Sequence, residues 1–182
     1  MKNPFLHFII LVLFVSISIK IVAQEVVLPH NQETGLIEFT GLVKVDSSLT
    51  QQILYTKAKE WFANSFKSAK DVIQMDDKVA GIIVGKGNFS ESKTCGIVNF
   101  TMKVQVKDGR YKYWVSNFKH EEHTRGWSGG NLENEKPDCG YYFMAKKVWL
   151  KFIPFAVDQH VNYMIQSLKV ALSKGSIEKD KW

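Results

Sequence analysis

This sequence lacks the constellations that announce chemistry. No Gly-x-Ser-x-Gly elbow occurs, so a Ser/His/Asp hydrolase has no signalled nucleophile. A phosphate-cradling loop needs G-x-x-x-x-G-K-[ST] opening a helix. In Gly85-Lys86-Gly87 no Ser or Thr follows the lysine, Gly81 stands too close, and the segment reads as a strand. Its glycines are expected to mark a bulge or strand end. His120-Glu121-Glu122-His123 puts two histidines at i and i+3, not the i and i+4 of a zincin helix, and reads as a solvated loop. No catalytic residue, metal or cofactor is expected.

Cysteine is down to two, Cys95 and Cys139, and neither lies in a nucleophile motif. An oxidising compartment would let them pair. The bridge would close a loop of about 45 residues, worth roughly 4 kcal/mol on the chain-entropy model. Spacing alone leaves the pairing open.

Long apolar runs are also missing, with one exception at the start. Lys2 is followed by an apolar stretch from Phe5 to Ile19, and Ile21-Val22-Ala23 offers a small residue at −1. Residues 1–23 read as a secretory signal peptide cleaved before Gln24. A membrane anchor would need roughly 20 apolar residues, and Lys20 interrupts this run too early. No cysteine sits near the cleavage point to take a lipid. The expected setting is therefore the periplasm or cell envelope, or the medium outside. Cleavage removes Lys2 and Lys20 and no acid, lowering the formal charge from +6 to +4. That mild excess permits contact with anionic polymers or membrane surfaces without demanding it.

What remains is enough for one domain with a real core. Residues 24–35 are polar and turn-prone and read as a linker. A strand follows over about 36–45, with Ile37, Phe39, Val43 and Val45 on one face. Ser48 and Gln51 have capping-box spacing, and Leu54, Ala58, Trp61, Phe62 and Phe66 recur at helical spacing over about 49–66. Two strands then run over 71–76 and 79–87, Ile73 and Met75 facing the same way as Ala80, Ile82 and Val84.

The clearest signal is the next hairpin. Val98, Phe100, Met102, Val104 and Val106 alternate with polar residues up to Asp108-Gly109, a two-residue turn signal. That turn pairs Val106 with Tyr111, Val104 with Tyr113 and Met102 with Val115. The other face then pairs Lys107 with Arg110, Gln105 with Lys112, Lys103 with Trp114 and Thr101 with Ser116. A slip of one residue would mix the two sets. Residues 120–147 form a long insertion whose Tyr141-Tyr142-Phe143 run implies that part of it is packed. The last helix starts near Pro154, buries Val157, Val161, Met164, Ile165, Leu168 and Leu172, and ends at Gly175. Residues 176–182 read as a frayed tail.

The expected fold class is α+β, in the order β-α-β-β-β-β-α, with an antiparallel sheet and two helices on one face. Three stretches, residues 54–62, 71–87 and 106–111, resemble a bacterial secreted domain-of-unknown-function family with a TATA-binding-protein-like (TBP-like, helix-grip) fold. The resemblance covers roughly residues 36–119. It implies an exported setting and no known activity, so it brings no catalytic residues. The insertion after His120 departs from it.

Lys44, Lys103, Lys107, Arg110 and Lys112 fall on strands with Trp114 among them. One reading is a solvated face whose lysines discourage edge aggregation. The sharper reading is a binding platform, Trp114 stacking and the bases holding an anion. Its partner would be an envelope protein, a glycan or another anionic polymer; export argues against nucleic acid. The first expectation is a non-enzymatic binding module. An apolar-ligand carrier with a helix-grip cavity comes second, and an envelope hydrolase third.

Overall fold

The structure, a computed structural model, describes residues 26–66, 72–91, 93, 96–122 and 128–173. The expected signal peptide and its cleavage point, Cys95, His123, Gly175 and the tail lie outside these residues. The elements run β1 (Phe39–Lys44), α1 (Gln51–Ser65), β2 (Ile73–Asp77), β3 (Ile82–Glu91), β4 (Gly96–Lys107), β5 (Arg110–Glu121), β6 (Ser128–Asn131), α2 (Gly140–Phe143), a π-helical turn (Val148–Phe152) and α3 (Ile153–Ser173). The sheet order is β1-β5-β4-β3-β2, with β6 also on β5, and every pairing is antiparallel. The α+β class and antiparallel sheet hold. The insertion adds a sixth strand, β6, beyond the expected order.

The hairpin register is the one read from the sequence, from Lys107↔Arg110 to Thr101↔Ser116. It then shifts. Asn117 adopts φ 58°, a left-handed conformation that asparagine tolerates, and opens a bulge in β5. The bulge moves the core-facing set from Tyr111, Tyr113 and Val115 to Phe118 and His120. His120, expected in a solvated loop, is instead fully buried. Gly96 and Gly129 make room for it, since a Cβ on either would come within 2.8 Å of its ring.

Helix α1 is capped by Thr50, whose hydroxyl accepts from the Ile53 N–H, not by the expected Ser48–Gln51 box. The Gln51 N–H donates to Asp108 Oδ1 at 2.6 Å, which ties the helix start to the hairpin turn. Gly81 stands just before β3 and Gly85 at the β2–β3 register shift, as expected of glycines at a strand end and a bulge, and Gly85 and Gly87 have a further role. They lie within β3, paired with Met102 and Phe100, and their missing side chains let the Phe62 and Phe66 rings lie on the sheet.

The expected linker is mostly exposed over 26–35 but is tied to the domain at a few points. Leu28 is buried, His30 bridges Ile37, and the Ile37 N–H donates to Glu133 Oε1 at 3.0 Å. Helix α3 is entered through the π turn, where the Ile153 N–H reaches back to the Val148 carbonyl. Pro154 follows immediately. It has no N–H to donate and its ring crowds the preceding turn, and the wider π geometry accommodates both. Helices α1 and α3 cover one face of the sheet, joined by Trp61 Nε1 donating to Ser167 Oγ at 3.0 Å. Leu54, Phe62, Val157, Val161, Leu168 and Leu172 have no exposed surface.

Candidate functional site: the open sheet face

The face opposite the helices is covered by no described element. Alternation along β5, β4 and β1 places on it every residue singled out as a platform. Lys112 and Trp114 stand on β5, Lys103 on β4 and Lys44 on β1, with Lys107 and Arg110 at the turn. The pairs Lys44↔Arg110 and Arg110↔Lys107 bring three cations to one end of the sheet.

Trp114 is paired across the strands with Lys103 on one side and Thr40 on the other. The Lys103 Nζ lies 4.9 Å from the ring centroid, and the Lys112 Nζ lies 4.6 Å from it. Ring quadrupoles attract cations at these distances. The indole thus gathers two ammonium groups, and a ligand stacking on it would have to displace a lysine. This differs from the bare stacking surface expected of Trp114. The ring acts first as a seat for charge.

None of these five cations has an ion pair among the described residues, whose only salt bridges are Lys59–Asp76 and Lys119–Glu121. The cause is in the sequence: β4 contains no acid, and β5 contains none before its last residue, Glu121. A shallow depression of about 230 Å³ between Leu42, Gln105, Lys107, Arg110 and Lys112 marks the basic end. Past Trp114, Lys86, Asn88, Asn99, Asn117 and the ion pair Lys119–Glu121 line a second hollow of about 590 Å³, the Asn99 amide donating to Glu121 Oε2 at 3.1 Å. Sequence reasoning missed this half. Only the bulge at Asn117 turns that side chain onto the open face, and no periodic pattern signals it.

Elsewhere, the carrier reading needs space between the sheet and α3. That layer is packed, and what remains is an open groove of about 400 Å³ at one end, where Phe89 stacks on His160 at 4.2 Å. No three His, Cys, Asp or Glu groups converge among the described residues. Cys139 is a half-buried thiol held above its ordinary pKa by burial and by the nearby acids Asp138 and Glu122.

Residues 39–121 match a family model described as "Domain of unknown function (DUF4468) with TBP-like fold". Among solved structures, a TBP-like protein from Parabacteroides distasonis is similar over 79% of this chain and 96% of its own, at 14% identity and TM-score 0.62. A DUF4468 family protein from Bacteroides ovatus is similar over 82% of this chain and 92% of its own, at 19% identity and TM-score 0.54. At such identities the likeness concerns the fold. No curated protein matches.

Proposed function

We propose that this chain, which carries a DUF4468 domain with a TBP-like fold, is an exported, non-enzymatic binding module of the cell envelope. Its open sheet face takes an extended anionic polymer, an acidic polysaccharide being the class that fits best. The observation that carries this reading is the open face from the hairpin turn to Trp114, whose strands bring no acid to it and where five cations stand without ion pairs and two converge on Trp114. Uncompensated charge on a rigid sheet is poorly explained by stability, because exposed charges contribute little to it. It is well explained by attraction to a partner of opposite sign.

Two features support a polymer over a small anion. The cations are spread along the strands instead of enclosing one point. The basic end also continues past Trp114 into the Asn-lined hollow, where amides can hydrogen-bond hydroxyl groups. From Lys107 to Asn99 the face spans about 26 Å of strand, room for several sugar units.

The test is a titration of the processed protein with polygalacturonate, with dextran as neutral control. Binding should weaken with salt, and the Lys103→Glu/Lys112→Glu pair should lower affinity at least about tenfold, equivalent to 1.4 kcal/mol. Trp114→Ala should weaken it too while leaving the domain folded. A wild-type protein that ignores polygalacturonate at low salt, or variants that bind it equally well, would end this reading.

A further inference from the structure

The segment between Gly140 and Val157 holds three lysines, no acid, and more large apolar side chains than the core takes. Met144, Trp149, Ile153, Ala156 and Val157 are buried and pin it in place. The Trp149 indole N–H donates to the Asn134 carbonyl at 3.1 Å, so the segment is anchored and not merely draped. The remaining rings point outward. Tyr142 is 92% exposed, Phe155 53% and Phe143 49%, with Leu150 and Tyr141 also at the surface. The Tyr142 and Phe143 rings meet edge to face at 5.0 Å.

Exposed Lys146, Lys147 and Lys151 are interleaved with these rings. Lys151 and Phe155 stand at i and i+4 on the same side of the helix. The Lys147 Nζ lies 5.2 Å from the Phe152 ring, and Lys93, from the β3–β4 connection, lies 5.9 Å from it on its own approach. Aromatic rings standing in water are unfavourable, and clustered exposed apolar side chains mark contact surfaces.

We propose that this patch is a membrane-interface surface: Tyr142, Phe143 and Phe155 enter the headgroup layer of an anionic bilayer while Lys146, Lys147 and Lys151 meet lipid phosphates. Charge complementarity selects this occupant. Three lysines and no acid are interleaved with the rings between residues 140 and 157, Lys93 approaches Phe152, and amphipathic rings with flexible lysines are the residue types that sit at a lipid–water boundary. The contact is peripheral, since no described helix is long and apolar enough to cross a membrane. It lies outside residues 39–121, the span of the family model, and does not depend on the sheet-face reading. Because α3 packs on the covered side of the sheet, a protein seated this way leaves the open face directed away from the lipid.

The experiment is co-sedimentation of the processed protein with phosphatidylcholine vesicles, with and without phosphatidylglycerol. Binding should require phosphatidylglycerol and fall at least about tenfold in Tyr142→Ser/Phe143→Ser/Phe155→Ser, while Lys103→Glu/Lys112→Glu retains it. Should the triple variant unfold, Tyr142→Ser alone, at the most exposed ring, must still weaken binding severalfold. Equal vesicle binding by wild type and ring variants would overturn the proposal. So would a loss seen only when Lys146, Lys147 and Lys151 become glutamine, which would indicate charge adsorption without ring insertion. A dimer that ring substitution converts to monomer, with no vesicle binding, would assign the patch to a second copy of this chain and overturn it as well.

Discussion

The two faces of this sheet are made by the same strands, alternating residue by residue, and they differ in almost everything but backbone. On the covered face, Phe62 lies over Gly85, and Met102, Val104, Val106, Tyr111 and Val115 are closed off from water. On the open face the intervening residues are Lys103, Gln105, Lys107, Lys112 and Trp114, their charges facing solvent without acids. A strand's period of two lets one hairpin serve two unrelated demands. One residue set is answerable to packing, and the other is free to answer to a partner. If this division is right, substitutions on the covered face should act on stability, and those on the open face on binding alone.

The largest effect should come from Phe62→Ala. Phe62 has no exposed surface and contacts Trp61 and Phe66 as well as the space above Gly85. Its loss should cost about 3–5 kcal/mol, read as a lower denaturation midpoint with unchanged slope. A cost below about 1 kcal/mol would mean the covered face is not the packed core described here.

Next is an alkaline limb from the same face. Burial, with Tyr113 as a lesser contributor, pushes the Tyr111 hydroxyl up to about 12, and that hydroxyl has no hydrogen-bond partner among the described residues. The folded state therefore resists losing this proton, while the unfolded chain loses it near pH 10. Stability should be complete below pH 10 and fall by about 2 kcal/mol between pH 10 and 12. Tyr111→Phe should remove this tyrosine's share of the alkaline slope at little cost below pH 10. Tyr55, also pushed up to about 12 by burial and by Asp76, should leave a remainder of comparable size.

The edge of the sheet gives a smaller effect. The hydrogen bond from Lys59, then that from Tyr55, holds Asp76 below the usual carboxylate range, and Lys59 stands 2.6 Å away. A carboxylate held low contributes stability above its ordinary pKa and loses it as pH falls through the folded value. Both partners are partly in water, so acid titration should show under about 1 kcal/mol of this loss, absent in Asp76→Asn.

Legibility in the sequence followed the same division. Where alternation persists, as in the β4–β5 hairpin, the polar turn and the apolar set specify register together, and the sequence reading reached every pair from Lys107↔Arg110 to Thr101↔Ser116. It failed where one residue changes phase. Asn117 turns the remainder of β5 over, which buries His120 and creates the Asn-lined hollow, yet asparagine alone does not announce a bulge. It reached the register shift at Gly85 but not the rings above Gly85 and Gly87, because a glycine in a strand has the same signature in both cases. The insertion was opaque for another reason: β6 is Ser-Gly-Gly-Asn, four residues with no apolar period, held by pairing to β5. Of the candidate site, the cations and Trp114 were visible from alternation. Their convergence on one ring was not, because it depends on where two flexible side chains settle.

The smallest stability effect is also the sharpest test of the division. Lys103→Ala/Lys112→Ala removes two ammonium groups from Trp114 and breaks no ion pair seen among the described residues. Each cation–π contact at an exposed ring is worth only about 0.5–1 kcal/mol, and removing two neighbouring like charges returns part of that through reduced repulsion. The unfolding free energy should therefore stay within about 0.5 kcal/mol of wild type. Polygalacturonate binding, by contrast, should weaken and lose part of its salt dependence. A large stability loss would show that the lysines and Trp114 brace the hairpin, making the open face part of the scaffold. Unchanged stability with weakened binding would mean that alternation has separated the two functions down to neighbouring residues of one strand.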